Sequence, residues 1–150
     1  ASDDSKDRSV INPIEAIIKI KNDVHFRNHK IELEVLNDEA ATVNENVFVR
    51  SITNILNNAI DKADRIIIKA EVNSKMIKIN IHDNGPGIDD EEKANVFKPF
   101  YRIDKSRNQN KTNSGLGLAT TKSLLGSING KISLHDSYLG GLEVAIVIQN

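Results

Sequence analysis

The sequence predicts an α+β fold, a two-layer sandwich of one mixed, largely antiparallel sheet with helices on one face. Two aliphatic segments, residues 66–72 and 76–83, flank the polar triplet Asn73-Ser74-Lys75, which predicts a β-hairpin. Residues 46–63 carry apolar side chains at three- and four-residue steps, which predicts a long amphipathic helix. Because strand and helix patterns are interleaved with a hairpin among the strands, a sheet covered by helices is favoured over an all-parallel arrangement.

The first elements have clear start signals. Asn12 is a predicted N-cap, Pro13 suits the first helical position, and an apolar stripe then continues to Ile20. Residues 31–35 alternate between apolar and charged side chains, which predicts a half-buried strand. The long helix at 46–63 and the hairpin strands follow.

The second half of the chain predicts a polar loop between shorter elements. An acidic turn at 89–92 suits the start of a short helix. Residues 103–113 contain few apolar groups, so we expect a mobile loop there. The remaining expected elements are a helix at 116–128 and two strands, 131–135 and 142–148, joined by Leu139-Gly140-Gly141.

Composition limits the possible classes of protein. The 150 residues fit one domain, which we assign to residues 13–150 after a disordered tail or linker remnant at 1–12. A net charge of -1 argues against a dedicated nucleic-acid binder, and the absence of cysteine excludes disulfides and thiolate sites. There is no apolar run of the roughly 18–20 residues that span a bilayer, and the first residues lack the apolar centre of a signal peptide.

Two glycine clusters and an asparagine pair suggest a phosphate-containing ligand. Asp83-Asn84-Gly85-Pro86-Gly87-Ile88 follows a predicted strand, and Ser114-Gly115-Leu116-Gly117-Leu118 opens a predicted helix. Glycines allow close approach of the backbone, whose N–H groups can hold phosphate oxygens. A carboxylate at a strand end can accept a hydrogen bond from a base amino group, and the amides of Asn54 and Asn58, on one helix face, suit Mg²⁺. The spacing matches neither the Rossmann fingerprint nor the Walker loop.

The order of these motifs resembles the catalytic ATP-binding domain of bacterial sensor histidine kinases. That domain belongs to the GHKL superfamily, with gyrase, Hsp90-type chaperones and MutL-type repair proteins. The resemblance runs from about residue 31 to the C-terminus. It is carried by Asn54-Ile55-Leu56-Asn57-Asn58-Ala59, Asp83-Asn84-Gly85-Pro86-Gly87, Phe97-Lys98-Pro99-Phe100 and Gly115-Leu116-Gly117-Leu118.

The resemblance implies ATP and Mg²⁺ as cofactors and assigns roles to individual residues. Asn58 matches the metal ligand and, together with Asn54, a catalytic position near the phosphates. Asp83 matches the carboxylate that recognises adenine. Phe97 and Phe100 match the base of a mobile ATP lid. The other implied nucleotide-binding residues are Lys62, Gly85, Gly87, Ile88, Phe100, Arg102, Lys105, Arg107, Ser114, Gly115, Leu116, Gly117 and Leu118.

Three positions depart from the family pattern. Asp61-Lys62 stands where the family often has Lys-Tyr; an acidic group near the phosphates would weaken ATP binding unless Lys62 supplies the missing cation. Asn113 stands where the second glycine box often begins with glycine. Asn54 replaces the glutamate of ATP-hydrolysing members and cannot act as a carboxylate base, which favours transfer to a protein over hydrolysis.

The resemblance implies the catalytic half of a protein-histidine kinase. None of the four histidines (His25, His29, His82 and His135) lies in a pattern like that of the phosphoacceptor helix. The implied partners are therefore a separate histidine-bearing helical domain of the same kinase and a downstream response regulator. We expect no nucleic-acid partner, a monomeric fragment and a cytoplasmic location, with the parent kinase anchored to a membrane.

Two alternative functions remain open at this stage. One is a nucleotide-binding regulatory module without transfer activity, for which Asp61 and Asn113 would be signs of drift. The other is a GHKL serine kinase of the anti-sigma-factor type. The Phe97-Lys98-Pro99-Phe100 segment favours the histidine branch.

Overall fold

A five-stranded sheet and three helices form the body of the protein. The structure is a computed structural model that describes residues 7–98 and 117–149. The helices are α1 (Pro13–Asn22), α2 (Glu45–Lys62) and α3 (Gly117–Gly126). The strands are β1 (Ser9–Ile11), β2 (Lys30–Asn37), β3 (Ala41–Val43), β4 (Arg65–Val72), β5 (Met76–Asp83), β6 (Gly130–Asp136) and β7 (Leu142–Gln149).

The main sheet has the strand order β2-β4-β5-β7-β6. β2 lies parallel to β4 at one edge, whereas β4–β5, β5–β7 and β6–β7 are antiparallel. In β2 the predicted alternation holds only at its start: Ile31 is buried, but Val35 is 45% exposed. The predicted mixed, largely antiparallel sheet is confirmed.

One face of the sheet carries the helices and the core. Ile68 of β4, Ile79 of β5 and Ile146 of β7 are fully buried and share a core with Ile17 of α1 and Ile52 of α2. Because side chains alternate along a strand, the intervening residues point to the other face. That face is polar and includes Lys69, Asn80 and Glu143. Both predicted layers are therefore present.

Local hydrogen bonds explain where the predicted elements begin and turn. Asn12 caps α1, where its Oδ1 accepts from the N–H of Glu15 at 2.9 Å. Asn44 caps α2 in the same way, with Val47 as the donor. At the β4–β5 hairpin, Oδ1 of Asn73 accepts from the N–H groups of Lys75 and Met76. Asparagine satisfies free backbone donors at helix starts and turns, which is why these boundaries could be predicted.

Two short segments differ from the expectation. Ser9–Ile11, placed in a disordered tail by the sequence, forms β1 and pairs antiparallel with β3, which was not expected at all. Arg8 adds a hydrogen bond from its guanidinium to the carbonyl of Thr42, 3.0 Å away. A three-residue strand is too short to produce a periodic pattern, so this ribbon depends on long-range pairing. The acidic turn is a single 3₁₀ turn, Asp90–Glu92, and the expected loop at 103–113 lies outside the described residues.

Candidate nucleotide site

Asp83 lies at the end of β5 with its carboxylate fixed by backbone donors. The side chain is 7% exposed. Its Oδ1 accepts from the N–H of Gly85 at 2.9 Å and from the N–H of Leu142 at 3.1 Å. Among the described residues, no hydrogen bond reaches Oδ2. The carboxylate is thus held in one orientation and has a second oxygen available for a ligand donor.

The backbone packs so closely around Asp83 that two neighbouring positions must be glycine. A β-carbon on Gly141 would clash with Oδ1 of Asp83 and lie 2.6 Å from the backbone oxygen of Asp83 and the nitrogen of Gly85. One on Gly85 would lie 2.9 Å from the carbonyl oxygen of Lys62. The last turn of α2 therefore meets the loop that follows Asp83, as close backbone approach requires.

Asn58 lies one helical turn before that junction and faces the start of α3. A β-carbon on Gly117 would be 3.7 Å from Nδ2 and 3.8 Å from Oδ1 of Asn58. Four residues separate Asn58 from Lys62, about 6 Å along the helix axis. The structure thus brings Asn58 of α2, Gly117 of the second glycine cluster and the Asp83 loop to one end of the sheet.

The amides of Asn54 and Asn58 differ from the other half-buried asparagines. Neither makes a side-chain hydrogen bond with any residue that the structure describes. By contrast, Asn57, between them on α2, contacts His25, where Oδ1 lies 2.7 Å from Nε2. Asn80 donates to Glu143 at 2.6 Å. Two half-buried amides on one helix face, without a partner among the described residues, are available to a ligand or to water.

This amide pair also fits the implied metal. Mg²⁺ prefers oxygen ligands, keeps several waters and is often held by only one or two protein groups. The residues described here contain no cluster of three histidine, cysteine, aspartate or glutamate side chains able to hold a metal ion. The amide oxygens of Asn58 and Asn54 are of the type that Mg²⁺ prefers, and the metal role of Asn58 stays a prediction.

The other predicted contacts that the structure describes lie around the same end. Lys62 closes α2 and is exposed, and Gly87, with a φ of 74°, lies beside Gly141. Ile88 is partly buried against the core. Leu118, at the start of α3, is 8% exposed and belongs to the core, so its packing role is established whereas its ligand contact stays a prediction.

Several predicted contacts lie outside the described residues, and their roles stay predictions. These are Phe100, Arg102, Lys105, Arg107, Ser114, Gly115 and Leu116.

Lys93, which the sequence did not single out, fastens the glycine loop to the far edge of the sheet. Its Nζ donates to the carbonyl of Ile88 at 2.8 Å, to Asp136 at 2.9 Å and to Asp90. The hydrogen bond with Asp90 raises the pKa of Lys93 and lowers that of Asp90. Lysine and aspartate were visible in the sequence, but their meeting across 43 residues had no local signal.

Comparison with known proteins agrees with this geometry. Residues 43–150 match the family described as "Histidine kinase-, DNA gyrase B-, and HSP90-like ATPase". Over 104 residues the chain is 34% identical to the sensor histidine kinase CpxA of Escherichia coli, covering 69% of this chain and 23% of that protein. It is 27% identical over 126 residues to the histidine-protein kinase BaeS of E. coli, covering 81% and 27%. The chain thus spans about a quarter of the length of these relatives.

Solved structures share the fold. The catalytic domain of the histidine kinase ThkA superposes with a TM-score of 0.80 at 21% identity, covering 95% of each chain. The ATP-binding domain of PrrB from Mycobacterium tuberculosis gives 0.77 at 20% identity, covering 96% of this chain and 98% of that one. Among the helices in the described ranges, none is long and apolar enough to cross a membrane. The chain belongs to the family of histidine kinase-, DNA gyrase B- and HSP90-like ATPases, and it is recognised there as a catalytic ATP-binding domain of the sensor histidine kinase type.

Proposed function

We propose that this domain binds Mg-ATP and transfers the γ-phosphoryl group to a histidine on a separate helical domain, which lies outside these 150 residues. The observation that carries the proposal is the pair of amides of Asn54 and Asn58, which make no side-chain hydrogen bond with the described residues. They lie about two turns and one turn before the junction between α2 and the Asp83 loop. Family membership supports ATP as the nucleotide.

The two ends of the site suit the two ends of ATP. Oδ2 of Asp83 can accept from the adenine amino group while Oδ1 keeps its two backbone donors. Asn58, against Gly117 at the start of α3, lies where phosphates and metal would be held. Asn54 has no carboxylate with which to activate water, which favours a protein acceptor over hydrolysis.

Transfer would require little covalent chemistry from this chain. The imidazole nitrogen of the acceptor bonds to the γ-phosphorus as the bond to the bridging oxygen breaks, and ADP leaves. Positioning and charge neutralisation provide most of the catalysis in such transfers. The phosphohistidine would then pass its phosphoryl group to a response regulator, and the domain would act as a monomeric, cytoplasmic part of a membrane-anchored kinase.

The test combines nucleotide titration with a transfer assay. We expect the chain to bind ATP more tightly with Mg²⁺ and to label a supplied histidine-bearing helical domain. The label should be lost in acid, as for phosphohistidine; an acid-stable label would indicate a serine kinase instead. Binding without transfer to a competent acceptor would indicate a regulatory module.

A substitution at the base end provides the specific control. Asp83→Asn keeps the shape and a side-chain oxygen at Oδ1 that can accept from the backbone N–H groups, but it removes the charge. We expect ATP affinity to fall at least about tenfold, because hydrogen bonds to charged groups contribute about 1.5–3 kcal/mol. Unchanged affinity in a folded Asp83→Asn variant would contradict the assignment of the adenine end.

A further inference from the structure

The last two residues of β5 hold the turn between β6 and β7 from opposite faces of the sheet. On one side, the backbone oxygen of Asp83 accepts from the N–H of Gly141 at 3.1 Å, and its Oδ1 accepts from Leu142. On the other side, Nδ1 of His82 lies 2.9 Å from Oγ of Ser137. Because the side chains of adjacent strand residues point to opposite faces, the end of β5 contacts both ends of the turn, Ser137 through His82 and Gly141 and Leu142 through Asp83.

Ser137 organises the turn that His82 touches. Its Oγ accepts from the N–H of Leu139 at 3.1 Å, its N–H donates to the carbonyl of Gly141 at 2.8 Å, and its carbonyl accepts from Gly140. Ser137 is 8% exposed and His82 is 7% exposed. Moving Ser137 would therefore move Gly141, which donates to Asp83.

Charged groups from the neighbouring strands surround the imidazole. Nε2 lies 3.8 Å from Oε2 of Glu143 on β7, and that oxygen already accepts from Asn80 on β5. The ring of Tyr138 packs edge-on at 4.9 Å, with Lys69 of β4 over its other side. Other titratable groups on this side of the sheet include Glu34 of β2, which pairs with Lys69, and His135 of β6, which is opposite Glu143. By strand alternation, the same face also carries Glu32, Arg65, Glu71, Lys78 and Lys131.

These surroundings favour the neutral imidazole. Burial lowers the pKa of His82 below its ordinary value of 6.5, and Lys69 acts in the same direction, whereas Glu143, Glu34 and Asp83 oppose the shift. The native arrangement is therefore fully favourable above that ordinary value and loses stability as the pH falls below it. In the neutral ring Nδ1 can accept from the hydroxyl of Ser137, whose oxygen accepts from the N–H of Leu139. Protonation makes both ring nitrogens donors, so the hydroxyl of Ser137 would need a new acceptor and its contact with His82 would change.

We propose that His82 is a positioning residue for nucleotide binding: its neutral form holds the Ser137–Gly141 turn against Asp83, and its protonation releases the turn and weakens adenine recognition. The inference rests on the proposed role of Asp83. It gives this domain a nucleotide affinity that falls in acid through a residue on the opposite side of the sheet from the ligand.

The first measurement needs no nucleotide. Amide shifts of Gly141 and Leu142, followed by NMR from about pH 5 to 8, should change with the same midpoint as the ring of His82. Ser137→Ala should leave His82 titrating but uncouple the two amides from it. If the amide shifts of Gly141 and Leu142 in the wild-type chain do not change as His82 titrates, His82 does not control the position of the turn.

The second measurement compares ATP affinities over the same pH range. His82→Gln keeps a hydrogen-bonding side chain but cannot titrate, and His135→Gln removes an exposed histidine from the same face as the matched control. The ratio of wild-type to His82→Gln affinity should fall with decreasing pH by up to about tenfold per unit, while His135→Gln follows the wild type. Because ATP protonation affects all three chains equally, the ratio isolates His82.

The possible outcomes distinguish the role of His82 from the proposed binding of ATP. A constant ratio between wild type and His82→Gln would overturn the role of His82 while leaving ATP binding intact. Absence of ATP binding by the wild type at about pH 8 would remove the proposed function and, with it, the effect on adenine. The amide shifts would then still report whether His82 controls the turn.

Discussion

The two ends of the candidate site differ in how their polar groups are satisfied. At the base end, Asp83 is buried and bound by backbone donors from Gly85 and Leu142. At the phosphate end, Asn54 and Asn58 are half-buried and make no side-chain hydrogen bonds within the described chain. The proposed base end is preorganised by the fold, whereas the proposed phosphate end has amides that a ligand could satisfy. Substitutions at the two ends should therefore separate stability from binding.

The largest effect is expected at the base end, from Gly141→Ala. The added methyl group meets the backbone of Asp83 and Gly85 rather than a side chain that can move. We expect the free energy of unfolding to fall by about 1–3 kcal/mol and ATP binding to be lost, measured by urea unfolding and nucleotide titration. Gly126→Ala is the matched control, because a β-carbon there has nothing within 4 Å. If Gly141→Ala has the stability and ATP affinity of the wild type, the backbone around Asp83 can make room for a β-carbon at position 141.

At the proposed phosphate end, Asn58→Ala should weaken ATP binding without lowering the stability of the fold. We expect the Mg²⁺-dependent part of ATP affinity to fall at least about tenfold, because an oxygen ligand is removed. The free energy of unfolding should stay the same or rise by up to about 0.7 kcal/mol, since alanine is the better helix former and no hydrogen bond to the described residues is lost.

Asn57→Ala is the control for that experiment, since its amide bonds to His25 rather than facing the site. It should lose some stability but keep the metal dependence. If Asn58→Ala destabilised the chain as much as Asn57→Ala, the amide of Asn58 would have a structural role.

The smallest effect concerns Asp61, three residues beyond Asn58 on the same side of α2. If phosphates bind beside Asn58, Asp61→Asn should raise ATP affinity about threefold to tenfold by removing a like charge, and added salt should reduce the gain. Asp64→Asn, an exposed position just after α2, should change little. An unchanged ATP affinity for Asp61→Asn, measured at low salt, would indicate that the phosphates do not bind next to this face of α2.

The sequence predicted those parts of the fold that local patterns determine. The limits of β5 and of α2, within one residue, follow from aliphatic periodicity and from the caps and turns formed by asparagine. Asn58 and Asp83 could be named because their motifs occur in a recognisable order. The pairing of β1 with β3, the bond of Lys93 to Asp136 and the fit of Gly141 against Asp83 join residues 30 or more positions apart, so only the folded chain reveals them.

The fixed orientation of the Asp83 carboxylate has a consequence for small-molecule recognition. With Oδ1 occupied by backbone donors, a planar aromatic fragment needs only one amino group directed at Oδ2 to engage this end. Such a compound, too short to reach Asn58, would bind without magnesium. Fragment screening in the presence of a chelator would therefore select ligands for this end of the candidate site alone.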